Sequence, residues 1–407
     1  MRLALIADSY PPLRSSGAVQ LRDLSVEFAR QGHEITVLVS APELAKPWVI
    51  ETYEGVQVVR LRTPRTRDTS YVRRTLAELV MPHAMLRNLR KSPLRDQRWD
   101  GIVWYSPSIF FGPMVQALKS QSACRSYLII RDIFPEWAVD MGLMGRGLPY
   151  RFFKAVANHQ YAVADVIGIQ TPGNAVYFRE WEQESGRVLE VLPNWLADAP
   201  NRGCSISIAS TRLAGRKIFV YAGNMGVAQG AGLLLDLADR LRRRPDIGFV
   251  FVGRGSDADA LRAEAGRRRL DNVLFFEEID PSEIPGLYAQ CQVGLVCLDP
   301  KHKTHNIPGK FLSYMQAGLP VLASINPGND LVQLIASRRV GAVSTDGSAD
   351  ALEVEAEKLL VEVARDTDYH ARCRALAQTM FSPEATVVRI VAALSEDHAT
   401  ATAAAAA

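Results

Sequence analysis

The chain has 407 residues, 48% of them hydrophobic and 22% charged, with a formal net charge of +3. A single hydrophobic core stops growing at roughly 250–300 residues, so this length calls for two domains, and the apolar content excludes a disordered chain. No run of about 18 apolar residues is present, which excludes a predicted membrane-spanning helix, and the five scattered cysteines show no metal-ligand spacing. They read as free thiols of a reducing cytoplasm.

The opening residues 1–8 hold one Arg and a short apolar run, too short for a signal-peptide core, and predict a first strand over 3–7. A polar, glycine-containing loop (8–17) follows, then an amphipathic helix over 18–31. Further apolar runs bounded by turn formers predict strands at 34–39, 56–61, 101–105, 126–130, 166–170 and 188–192. The turn-rich stretch 192–203 reads as the join between halves. The second half opens like the first, with a strand at 217–222, a glycine-rich loop and a helix over 231–243. Strands at 248–252, 273–276, 293–297, 321–323 and 341–343 complete it. Continuous apolar strands separated by helices mark parallel, doubly wound α/β sheets. The expected organisation is a domain over 1–196, joined by a helix at 383–396 that crosses back to it, and a second domain over 197–382. The tail 398–407 is Ala and Thr only and is expected to be disordered.

Within 60–98 stand eleven Arg or Lys against Asp68, Glu78 and Asp96. Leucines, valines and methionines interleave with them. That mixture favours a segment lying on an anionic membrane surface, with Arg73, Arg74, Arg87, Arg90 and Lys91 facing the lipid. Stacking aromatics are sparse there, so no nucleic-acid partner is expected.

In parallel sheets of this kind, ligands bind beyond the carboxyl ends of the strands. The loop after 217–222 reads Gly223-Asn224-Met225-Gly226, then Gln229-Gly230. Glycines let backbone amides approach a diphosphate, and a following helix N-terminus adds roughly half a positive charge. The next strand ends in Val252-Gly253-Arg254-Gly255, where Arg254 offers a cation. Further on, Pro308 suits a helix start and Gly318 its end, placing Lys310 in the first turn. A cation there opposes the helix dipole unless a bound anion occupies the terminus. In the first half, Arg131 and Asp132 follow the strand 126–130. Arg131 is expected to stabilise phosphate charge, and Asp132 to position an acceptor or act as base.

Taken in order, Gly223-Asn224-x-Gly226 with Gln229, Val252-Gly253-x-Gly255, and Pro308-x-Lys310 running into Tyr314-Met315-x-Ala317-Gly318-x-Pro320-Val321 resemble the GT-B glycosyltransferases of glycosyltransferase family 4. The similarity is strongest to the bacterial surface-polysaccharide branch, which includes N-acetylfucosamine transferases. The loop 8–20, the segment 131–144 and the helix near 383–394 extend it over both halves.

The resemblance implies two Rossmann-like domains facing a central cleft. It implies retaining transfer from a nucleotide-sugar, UDP-linked, with no required metal or other cofactor. It implies a polyprenyl-diphosphate-linked glycan as acceptor, in O-antigen, capsule or exopolysaccharide synthesis, by a cytoplasmic protein peripheral on the inner membrane. Gly17 stands where relatives carry a loop glycine facing the diphosphate. The family's two glutamates are absent: His305 and Ser313 occupy their positions. The resemblance therefore assigns catalytic roles to Arg131, Asp132, His305 and Lys310. It assigns donor contacts to Gly17, Gly223, Asn224, Gly226, Gln229, Arg254, Asn306, Ile307, Pro308 and Ser313. Two other classes stay open at this level: a nucleotide-sugar 2-epimerase of similar shape, and a non-catalytic sugar-nucleotide-binding subunit.

Overall fold

The computed structural model describes residues 1–395 apart from 14, 67–69, 227–228, 299–302 and 304–306. The tail 398–407, His305 and Asn306 therefore lie outside the described residues. The chain divides into two compact units, Met1–Trp195 with Pro383–Ala407, and Leu196–Ser382.

Unit 1 is built on an eight-stranded sheet: β1 (Arg2–Ala7), β2 (Glu34–Ser40), β3 (Trp48–Tyr53), β4 (Val56–Leu61), β5 (Gly101–Ser106), β6 (Arg125–Ile130), β7 (Val166–Ile169) and β8 (Val188–Val191). Their spatial order is β3-β4-β2-β1-β5-β6-β7-β8. Alternate residues of β1 feed two cores. Leu3, Leu5 and Ala7 join Leu21, Leu24 and Phe28 of the helix Ser16–Arg30 on one face. Ala4 and Ile6 join Met81, Met85, Met114 and Ala157 on the other. A strand covered on both faces must be apolar at every position, which is why β1 reads as an unbroken run. The helix Ser16–Arg30 starts where Ser15 Oγ accepts the Ala18 N–H at 3.3 Å.

The helix Pro383–Ser395 packs on unit 1, with Val387 and Ile390 fully buried among the β1 face residues. Arg125 donates to the Ala393 carbonyl at 2.7 Å. A Cβ on Gly101 would stand 2.9 Å from Leu394 Cδ1, so the start of β5 has no room for a side chain under this helix.

One strand escaped the sequence reading. β3 pairs antiparallel with β4 at the sheet edge, through a turn in which Glu54 and Gly55 both hold positive φ (49° and 81°). Every residue of β3 is only partly buried or exposed, and its apolar run Trp48-Val49-Ile50 is cut short by Glu51 and Thr52. Both central residues at positive φ give the turn that matches strand twist.

Among its described residues unit 2 has six strands, all parallel: β9 (Lys217–Ala222), β10 (Ile247–Val252), β11 (Val273–Phe276), β12 (Val293–Cys297), β13 (Val321–Ser324) and β14 (Gly341–Ser344), in the order β11-β10-β9-β12-β13-β14. Renumbered within the unit this is 3-2-1-4-5-6, the doubly wound dinucleotide-fold order. Among the described residues, no helix is long and apolar enough to cross a membrane.

Candidate functional site

In unit 2 the strand order reverses direction between β9 and β12. In sheets of this order ligands bind at such a switch point, outside the carboxyl ends of the two strands. The β9 loop is Gly223–Gly230. The β12 loop leads to the helix Gly309–Ala317.

The β9 and β10 loops touch backbone to backbone. The Gly223 N–H donates to the Val252 carbonyl at 2.9 Å, and Met225 N–H to the Arg254 carbonyl at 2.8 Å. A Cβ on Gly253 would sit 2.1 Å from Gly223 O, and one on Gly255 2.2 Å from Met225 O. Both glycines also hold positive φ, 136° and 154°. Only glycine permits this contact.

Within the β9 loop, Gln229 Oε1 accepts from the Asn224 side-chain amide and from the Gly226 N–H, each at 3.1 Å. One oxygen thus already sits on two convergent N–H donors, marking where an anionic oxygen fits. Tyr221 hydrogen-bonds through its hydroxyl to the Asn224 carbonyl at 2.7 Å and so fixes the loop from beneath.

Lys310 meets this loop from the β12 side. Its Nζ lies 3.5 Å from the centroid of the Tyr221 ring, and its Cε would be 3.6 Å from a Cβ on Gly223. It is the second residue of the helix Gly309–Ala317, whose preceding residue Pro308 is extended (φ −61°, ψ 142°). Burial pushes the Lys310 ammonium down to about 7, partly offset by Cys297. Desolvation disfavours the charged form of a lysine, and a helix N-terminus does too. A diphosphate placed here would reverse both effects.

Tyr314, one turn further along, fixes the helix. Its hydroxyl donates toward the Val220 carbonyl at 3.0 Å, and a Cβ on Gly294 would stand 2.5 Å from its ring. Gly294 exists in β12 to admit that ring. Neither Tyr221 nor Tyr314 was assigned a site role from sequence. Their signal is buried phenols flanking the two loops, which no spacing rule reports.

The remaining predicted residues are placed as follows. Arg254 is exposed, and its Nε pairs with Glu278 at 3.1 Å; its backbone, not its side chain, joins the β9 loop. Ile307 is buried. Ser313 Oγ donates back to the Gly309 carbonyl at 3.3 Å, a bond within its own helix.

In unit 1, Gly17 stands in the first turn of the helix Ser16–Arg30. A Cβ there would be 3.3 Å from the Tyr105 ring, so glycine lets the helix start close against the end of β5. Arg131 is buried. It donates to the carbonyls of Leu192 at 2.9 Å and Pro193 at 3.3 Å, with its guanidinium carbon 4.7 Å from the Trp195 ring centroid. Burial pulls it down to about 10, against the opposing pull of Tyr105, Tyr127 and Asp132, so it stays charged at neutral pH. This gives Arg131 a structural task, clamping the segment after β8. Asp132, half-buried, follows it at the carboxyl edge of the sheet.

Arg73, Arg74, Arg87, Arg90 and Lys91 are all exposed on or just after the helix Tyr71–Leu89. Arg74 pairs with Glu78 at 2.9 Å. The same helix exposes Tyr71, Val72, Leu76 and Val80.

Residues 216–362 match the family model described as "Glycosyl transferases group 1". The chain is 24% identical over 354 residues to the putative colanic acid biosynthesis glycosyl transferase WcaI of Escherichia coli, spanning 82% of this chain and 86% of that protein. The structure superposes on sucrose-phosphate synthase from Thermosynechococcus elongatus with a TM-score of 0.72 at 17% identity, over 96% of this chain and 97% of that one. It superposes on Anabaena HepE in complex with UDP and glucose with a TM-score of 0.68 at 14% identity, over 98% and 100%. Likenesses at this identity speak to the fold: two Rossmann-like domains of the GT-B kind.

Proposed function

We propose that this chain, a GT-B protein whose second unit carries a glycosyltransferase group 1 domain, transfers a sugar from a UDP-sugar to a polyprenyl-diphosphate-linked saccharide during surface-polysaccharide synthesis. The observation that carries the reading is Lys310 lying against Gly223 at the switch point of unit 2. A partly desolvated cation, a helix N-terminus and a loop with converging N–H donors form a seat for a diphosphate. The UDP complex of the HepE neighbour supports the choice of nucleotide.

In this reading the transfer retains anomeric configuration. The acceptor hydroxyl attacks the anomeric carbon on the face the diphosphate leaves, and a diphosphate oxygen takes the hydroxyl proton. No protein nucleophile is required. The chain's contribution is charge: Lys310 and the N-terminus of the helix Gly309–Ala317 stabilise the negative charge that grows on the departing UDP, and no metal cofactor is called for. Asp132 orients the acceptor. Unit 1 meets the cytoplasmic leaflet through the helix Tyr71–Leu89, where each exposed cation near an anionic surface contributes about 1 kcal/mol.

The test incubates the protein with a panel of UDP-sugars, with and without prenyl-diphosphate-linked saccharides, and follows UDP release and product mass. Acceptor-dependent UDP release with a matching mass gain is expected. Conversion of the donor sugar without acceptor would replace this reading by an isomerase. Tight UDP-sugar binding with no turnover on any acceptor would replace it by a binding subunit.

A further inference from the structure

A groove of ≈ 420 Å³ opens in unit 1 beside the helix Tyr71–Leu89. It belongs to neither the switch-point crevice of unit 2 nor any residue pair discussed so far. Its walls are apolar, formed by Pro47, Pro64 and Val80, and three cations line it: Arg62, Arg87 and Lys91. Ligand sites typically measure about 300–1,000 Å³, so this one has the size to hold a small headgroup.

Hydrogen bonds define the shape of the groove. Asn88, buried, donates its side-chain amide to the Arg62 carbonyl at 2.7 Å. The Trp48 indole donates to the Lys91 carbonyl at 3.0 Å, and the Arg62 N–H to the Pro47 carbonyl at 3.0 Å. These bonds join the end of β4, the start of β3 and the far end of the helix. The polar groups of the floor are thus consumed in holding shape, which leaves the cationic side chains as its chemistry. A merely adhesive basic surface needs no such walled pocket.

One end of the groove runs on into lipid-compatible surface. Val72, Leu76 and Val80 recur every four residues, so they share one helix face, and they are 72%, 58% and 51% exposed. Val80 belongs to both the stripe and the groove. Cations in a pocket that continues into an apolar stripe suit a molecule with the same division: a phosphate-bearing head and a hydrocarbon tail.

We propose that this groove binds the diphosphate end of the lipid-linked acceptor, with the first carbons of its prenyl chain along Val80, Leu76 and Val72. The inference rests on the acceptor class named under the proposed function and deepens it. The groove sits at the carboxyl end of β4.

The experiment titrates the full chain with farnesyl diphosphate, with farnesol, and with phosphatidylglycerol vesicles, reading tryptophan fluorescence and vesicle co-sedimentation. UDP affinity is measured alongside. Wild type is expected to bind farnesyl diphosphate at least tenfold more tightly than farnesol. Arg87→Glu with Lys91→Glu, both exposed and so tolerated by the fold, should weaken it at least tenfold while UDP affinity holds. Val80→Trp, which fills the groove without changing charge, should weaken it too. Equal binding of farnesyl diphosphate by wild type and variants would overturn the proposal. So would binding to phosphatidylglycerol vesicles alone, which would assign the groove to bulk membrane lipid. Loss of UDP binding by wild type with farnesyl diphosphate binding intact would strike the donor reading and leave the groove standing.

Discussion

Lys310 offers the sharpest test of the switch-point site, because its protonation must change when the site fills. Burial leaves it at about 7 in the ligand-free protein, against 10.5 for an ordinary lysine. A diphosphate at Nζ favours the ammonium and should return it to its usual range. At pH 7.5 a group of pKa about 7 is roughly three-quarters neutral, so UDP binding should take up about 0.75 proton. Isothermal titration in two buffers of different ionisation enthalpy reads that number directly. The same linkage makes affinity depend on pH. From pH 7 to 8.5 the ammonium population of the free protein falls about fifteenfold, and Kd for UDP should rise by about that factor. Lys310→Met should remove the proton uptake, flatten the pH profile and cost roughly 1.5–3 kcal/mol of binding, the worth of a hydrogen bond to a charged group. Stability moves the other way. The folded-state pKa is depressed, so the unfolded chain binds more protons between pH 7 and 10.5, and unit 2 should gain stability as pH rises through that window. Lys310→Met should abolish that gain. A pH-independent Kd, or UDP binding without proton uptake, would refute the placement of the diphosphate beside Lys310.

Gly253→Ala should drive a methyl into Gly223 O and impose a positive φ on alanine, costing about 2–4 kcal/mol; thermal unfolding would show it, and an unchanged Tm would contradict the backbone contact. Arg131→Met should destabilise unit 1 by about 2–4 kcal/mol in urea unfolding while leaving UDP affinity unaltered, because its carbonyl contacts and Trp195 are all within that unit. If UDP affinity fell with stability intact, Arg131 would return to the donor site. Tyr314→Phe should cost about 1–3 kcal/mol, since it removes the buried hydroxyl's bond to the Val220 carbonyl, and should weaken UDP binding only modestly; a large loss of affinity at unchanged stability would mean the hydroxyl serves the ligand.

Much was legible from the chain because the relevant physics is local. An unbroken apolar run such as Leu3–Ala7 reads as a strand covered on both faces, and among the described strands all but β3 fall on apolar stretches bounded by turn formers. Glycines at 223, 253 and 255 mark loops that must approach something closely, and Gly318, at φ 73°, ends its helix where expected. The helix pattern around 71–89 shows its mixture of cations and apolar side chains on inspection.

What the linear order could not contain is which loops meet. Gly253 is required by the carbonyl of Gly223, thirty residues away. Arg131 and Lys310 are both cations after strand ends, yet tertiary packing turns one inward onto the carbonyls of Leu192 and Pro193 and sets the other against the Gly223 loop. β3 stayed hidden because an edge strand is stabilised by its neighbour's hydrogen bonds rather than by its own apolar run. The groove around Arg62, Arg87 and Lys91 exists only because Asn88 and Trp48 pin a helix to a strand end. Sequence periodicity encodes burial, a property of each residue with its near neighbours; the direction of a side chain depends on partners far along the chain, and only the folded structure brings them within reach.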